Sequence, residues 1–261
     1  LKDRHQACEI ALLILGLELP LPSRYPALVI SFDPAQGSSP MTNPQRIPLA
    51  LKLAFTAFMA WLVPVYLKNY GWTNFLYFCD VAMILTLAAI WLESPLLASI
   101  PLVGIFLPQV LWVADFFFEM FGGHLTGLTG YMFDPQRDFF LRFLSFFHFW
   151  LPFLLLYLVW RLGYDRRAVV VWTVLAWGLM TVCYFFMPGP GPSDDPNVPR
   201  NINYVQGFSE TEPQTLFANP HVYFALVMVL LPALVVLPTH VACVYLLEKK
   251  PEPAPAVAPG A

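Results

Sequence analysis

The sequence predicts an all-α integral membrane protein: a polytopic bundle of about six transmembrane helices with both termini cytoplasmic. Two observations predict the class. Only 12% of the 261 residues are charged and 58% are hydrophobic, about half the charge density of a soluble domain. Apolar stretches near 20 residues recur, the length that crosses a hydrocarbon layer about 30 Å thick at about 1.5 Å per residue. The alternating pattern of a membrane barrel is missing, and helices pair their own backbone polar groups as lipid requires.

The elements follow in chain order. Residues 1–40 read as a non-native or disordered N-terminal extension arising from start-site choice. Within them, EIALLILGLE is apolar but too short to span, and no basic start, clean apolar core and small-residue cleavage site mark a signal peptide. Met41, just before the first span, has the position of a natural start. Spans are expected at about 49–67, 72–92, 96–118, 139–161, 168–187 and 219–247, making residues 41–247 one six-helix domain. The tail from 248 to 261, rich in Pro and Ala, is expected to be disordered.

Orientation comes from the placement of cations. Arg161, Arg166 and Arg167 crowd the connection between spans four and five, whereas Asp194, Asp195, Glu210 and Glu212 follow span five. Positive loops favour the cytoplasm, which places residues 119–135 and 188–218 on the outer side. Arg46, Lys52, Lys249 and Lys250 agree, and Lys68 dissents. The expected location is the inner membrane of a bacterium. Loops this long usually have a role, and these two are expected to form a lid over the outer helix ends.

Ionisable groups inside apolar spans cost at least about 2.5–3.5 kcal/mol on insertion scales, so they face the bundle interior and have partners. Cys79, Asp80, Asp115 and His148 are such groups, with Cys183 and His221 nearer the outer ends. From the predicted span starts, Cys79 lies about 10 Å and His148 about 13 Å along their helices. Successive helix residues point about 100° apart, so Cys79 and Asp80 are not expected to share a face.

Each group has two readings. A Cys thiolate attacks acyl carbonyls when a His takes its proton and a carboxylate orients that His, which would make Cys79 nucleophile, His148 base, and Asp115 or Asp80 the orienting acid. Asn201, Asn203, Tyr204 and His221 then supply donors for substrate or an oxyanion. In the structural reading Cys79 packs as a small apolar residue, His148 bonds a neighbouring carbonyl, and Asp80 pairs with Asn74 at a helix N-terminal turn.

Several other chemistries lack their signatures. HExxH, CxxC, a Walker loop and GxSxG do not occur, and Cys8, Cys79, Cys183 and Cys243 are too dispersed for a structural zinc site or a disulfide framework. A Cys79–Cys183 bridge stays open. Arg142 and Arg200 are too isolated for a membrane lipid phosphatase. No metal or cofactor is expected, membrane lipids are the expected partners, and no basic surface suggests nucleic acid.

The segments LYFCDVA, IWLESPLLAS, LPQVLWVADF, LTGLTGYMFD, WRLGYDRRA and PNVPRNINY resemble, across residues 41–247, an uncharacterised group of bacterial multi-pass proteins described only as membrane-associated. More distantly, LYFCD, FFHFWLP and NINY in this order resemble the YwaF-like family, whose relatives include transmembrane cysteine acyltransferases and androgen-induced-type lipid hydrolases. That resemblance implies Cys79 as nucleophile and His148 as base, with Asn203 and Tyr204 matching the family's Asn-Tyr segment. The family's double-His or His-Gly context is replaced by Phe147-His148-Phe149-Trp150. The expected function is therefore a lipid acyltransferase or hydrolase using a Cys–His pair; the alternative is a non-catalytic assembly factor or small carrier with a structural polar network.

Overall fold

The computed structural model describes residues 46–192, 195 and 197–247. The expectations for residues 1–40 and for the tail lie outside the described residues. All the regular structure described is helical, and helices occupy all six stretches expected to span.

Span one is α1, Leu49–Asn69, followed by Gly71 at φ 78°, where a residue without Cβ turns the chain back. Span two differs from a single helix over 72–92. It divides into a 3₁₀ turn, Trp72–Leu76, an extended Tyr77 at ψ 139°, and α2, Phe78–Leu92. The break has a cause 125 residues away: the Asn203 amide donates to the Leu76 carbonyl at 2.9 Å and accepts from the Phe78 N–H at 3.0 Å. A side chain thus takes backbone groups that a continuous helix would pair internally. At 15 residues, α2 is about 22 Å long, short of the hydrocarbon thickness by itself. The other five spans are long and apolar enough to cross.

Glu93 ends α2 in the left-handed region at φ 48°. Its carboxylate accepts from the Arg46 and Ile47 N–H groups at 3.1 and 3.3 Å and meets the buried Lys52 ammonium at 2.9 Å. Arg161 donates twice to the Arg46 carbonyl, at 3.0 and 2.8 Å. One charged cluster therefore ties the approach to α1, the α2 terminus and the end of span four together. Unpaired, each member would be expensive in a membrane protein.

The central helix is α3, Pro95–Met120. Ser94 caps it by accepting from the Leu97 N–H at 3.3 Å, and Pro95 occupies the first turn, where its missing N–H is not needed. More than half of its apolar window, 56%, is buried, against 17% for span six; α3 is the axis and the last span is the least buried of the five long ones. It packs on α2 and on every later span. Gly104 permits the closest of these contacts, because a Cβ there would collide with the fully buried Trp172 indole.

Span four is α4, Phe139–Ser145, and α5, Phe147–Leu162, capped by Asp138, which accepts from Phe140 and Leu141 N–H groups at 2.7 and 3.2 Å. Span five is α6, Ala168–Phe186. Span six is α7, Pro220–Leu231, a wide π turn, Pro232–Val236, and α8, Leu237–Leu247. Pro232 has no N–H for the Met228 carbonyl four residues back; the Trp177 indole of α6 donates to that carbonyl at 2.8 Å. A neighbouring helix thus repairs the gap.

Candidate functional site

At the end of the bundle bearing residues 121–138 and 187–219, the helices part around a cavity of about 580 Å³. Its floor comes from α1, α2, α3 and α5, and both loops wall its mouth: Thr126, Gly127, Tyr131 and Arg137 from the first, Pro199, Asn203, Tyr204 and Glu210 from the second. The expected lid is therefore formed. Cys79, Asp80 and His148 all line this cavity. Spans two and four are in contact.

Asp80 lies in the first turn of α2, where the helix dipole favours a negative charge. It is 3% exposed. Its Oδ2 accepts from Asn74 Nδ2 at 3.2 Å and from the Cys79 thiol at 3.7 Å, whereas Oδ1 is buried with no partner. The pairing with Asn74 is the helix-turn arrangement the sequence allowed. Cys79 and Asp80, expected on different faces of the helix, both line the cavity.

His148 follows the break at Phe146, with its ring stacked on Trp112 at 5.1 Å between centroids and on Phe147 at 4.1 Å. Its Nδ1 meets the Ser145 carbonyl at 2.7 Å. A carbonyl only accepts, so Nδ1 carries the proton and Nε2 keeps the lone pair. Ser145 is in turn joined to the Tyr66 phenol at 3.1 Å. The imidazole's orienting group is thus a backbone carbonyl. No hydrogen bond links Cys79 to His148: the thiol's partner is Asp80 and the imidazole's is Ser145.

Asp115, wholly buried, does not orient the imidazole. Its two oxygens accept from the N–H groups of Thr126, Gly127 and Thr129 at 2.6, 3.1 and 2.8 Å and from the Thr129 hydroxyl at 2.7 Å. Those bonds fold the first loop over the cavity.

The residues expected to bind substrate divide. Asn203 and Tyr204 line the cavity; Asn201 and His221 do not. Asn201 is buried within its own loop, donating to the Gly207 and Ser209 carbonyls at 3.0 and 2.8 Å and accepting from the Gln206 N–H at 2.8 Å. His221 is exposed and pairs with the Tyr184 phenol at 2.8 Å. Asn203 spends its amide on α2, and its Nδ2 also reaches Cys183 Sγ at 3.6 Å. Cys79 and Cys183 are both free thiols. Asn201, Asn203 and Tyr204 have φ of 45°, 59° and 56°, a run of left-handed backbone that persists only where surroundings impose it.

Sequence reasoning missed Tyr66, Gln109, Tyr131, Arg137 and Glu210 on the cavity wall. Gln109 carried a usable signal: it is an amide inside an apolar span, 3% exposed, with Oε1 buried and unpartnered. The tyrosines did not, since aromatics are common wherever a span meets the interface. At the mouth, burial pushes the Tyr131 and Tyr204 phenols up, so they remain neutral donors. Burial likewise pushes the Glu210 carboxyl up, against the lowering effects of Arg137 and the Tyr77 hydroxyl. No family model, curated protein or solved structure matches this chain.

Proposed function

We propose that this multi-pass membrane protein receives the polar head of an amphiphile, a membrane lipid or lipid-like molecule, in the lidded cavity, with the loop-bearing end facing outward from a cell membrane. One observation carries the reading: a cavity of about 580 Å³, within the range of small-molecule sites, offers buried acceptors at Asp80 and Gln109 that the protein itself leaves unpaired. Buried polar groups without partners are costly, so a site that retains them is built for something that arrives. The aromatic residues around them suit an apolar body next to a polar head.

Photo-crosslinking with a diazirine-bearing lipid tests this. Labelled peptides are expected from residues 126–137 and 197–211, and filling the cavity with Gln109→Trp should abolish that labelling while the lipid-facing surface of α6 still labels. Crosslinks confined to the outer helix faces in both proteins would overturn the reading.

A second reading, acyl transfer, is favoured by the placement of Cys79 and His148 on one cavity with Nε2 free to accept a proton. In this chemistry the thiol proton passes to Nε2, the sulfur–carbonyl bond forms, the ester carbon–oxygen bond breaks, and the leaving alcohol takes the proton back. The thiol must first turn away from Asp80. Labelling by a thiol-reactive lipid probe should be lost in Cys79→Ala and His148→Ala and kept in Cys183→Ala; equal labelling of all three excludes it.

A further inference from the structure

We infer that the head group the cavity selects is a primary ammonium, rather than a hydroxyl cluster, a quaternary ammonium or an anion. The inference rests on the amphiphile reading and names its ligand class.

The unpartnered polar atoms of the floor are mainly acceptors, with the Trp112 indole N–H the one unpartnered donor beside them among the described residues. Asp80 Oδ1 and Gln109 Oε1 are buried and unpartnered. Pro108, also on the wall, has no N–H to give the Gly104 carbonyl, and Gly104 lines the cavity beside it. These groups come from α2 and from successive turns of α3, which pack against each other. An ammonium with three N–H donors matches such a set, and a compact cation is the one head group that supplies charge and donors from a single atom.

Charge gives the same answer. The hydrogen-bonding partners of Asp80, Asn74 and Cys79, are both uncharged. A buried carboxylate needs a cation or a full set of donors to stand as an anion: Asp115 has four donors, whereas Asp80 has two and, among the described residues, no ion pair. The remaining cation on the wall, Arg137, belongs to the mouth, where it lies over the Tyr131 ring at 5.9 Å and near Asp134 at 3.9 Å. Trp112, Phe147 and Tyr66 line the same cavity, and an aromatic wall suits a cation better than an anion. A quaternary ammonium would suit the rings but leave the acceptors unpaired. A sugar-like head would bring donors without the charge that Asp80 lacks.

Calorimetric titration of the purified full chain with four soluble probes of one chain length tests this: hexylammonium, hexyltrimethylammonium, hexyl glucoside and hexanoate. Hexylammonium is expected to bind, and each of the others about tenfold more weakly or worse, the worth of a lost charge-assisted hydrogen bond. Asp80→Asn, which keeps shape and loses charge, should weaken hexylammonium about tenfold and leave hexyl glucoside unaffected; Gln109→Leu is the independent second variant and should weaken hexylammonium alone. Equal or better binding of hexyltrimethylammonium, hexyl glucoside or hexanoate would overturn the inference while leaving the amphiphile site standing. So would hexylammonium affinity that ignores both substitutions. Binding of no probe at all would remove the amphiphile reading and this inference with it.

Discussion

Replacing Asn203 should loosen the start of α2, and three substitutions separate the reasons. The side chain makes two bonds to backbone, at 3.0 Å to Phe78 N–H and 2.9 Å to Leu76 O, worth about 1 kcal/mol each net. It also tolerates φ 59°, where an ordinary L-residue pays about 1–2 kcal/mol. Asn203→Ala loses both bonds and the tolerance, for about 3 kcal/mol in all; Asn203→Gly keeps the backbone conformation and should cost about 2 kcal/mol. Asn203→Asp retains an acceptor for Phe78 but has no donor for Leu76, and falls between wild type and alanine. Unfolding in mixed micelles by titration with a denaturing detergent gives the free energies, and hydrogen exchange at the Phe78 amide gives the local effect. An alanine variant no less stable than wild type, or one more stable than the glycine variant, would refute the reasoning. So would unchanged exchange at Phe78.

Other outcomes follow from the same geometry. Asp115→Asn removes the charge and one acceptor from a group with four bonds to residues 126–129; amide exchange at Thr126 and Thr129 should accelerate, with a stability loss of about 2–3 kcal/mol, and the first loop should become the preferred site of proteolysis. Gly104→Ala should destabilise by about 1–3 kcal/mol through collision with Trp172, and Trp172→Leu in the same chain should restore much of that loss; additive losses in the double variant would count against the contact. Glu93 is held below its ordinary value of 4.5 by the Lys52 hydrogen bond and by the Arg46 and Ile47 N–H groups. A depressed carboxylate contributes stability above its unfolded value and forfeits it as pH falls through the folded one. Stability should therefore drop on acidification below 4.5, and Glu93→Gln should flatten that part of the profile.

The spans were legible because the bilayer imposes one length and one composition on every crossing, and Pro64, Pro101, Pro108 and Pro152 sit inside helices without ending them, while Pro232 only widens span six into a π turn. Span two was the exception. Nothing between residues 72 and 92 announces the break at Tyr77, because its cause is an amide in the loop after span five. The candidate site was legible to the same degree: intramembrane Cys79, Asp80 and His148 stood out as polar groups in apolar runs, and they do meet on one cavity. Two of their pairings, Asp80 with Asn74 and His148 with a neighbouring carbonyl, were legible as the structural reading; the choice between that reading and the catalytic one was not. Which carboxylate serves His148, and whether Asp115 faces the cavity or a loop, depends on rotations of a few tens of degrees that spacing does not encode. His221 and Asn201 illustrate the opposite failure, since polar residues in loops satisfy themselves locally with ease.

The link between Asn203 and α2 also sets an order of events. The 125 residues that separate the partners take about 6–25 s to synthesise at about 5–20 residues per second. Throughout that interval spans two to five can be inserted while the first turn of α2 lacks the amide that fixes it. The cavity therefore takes its shape only after span five has emerged, and a chain ending before residue 203 would hold its first five spans without the amide that sets the start of α2.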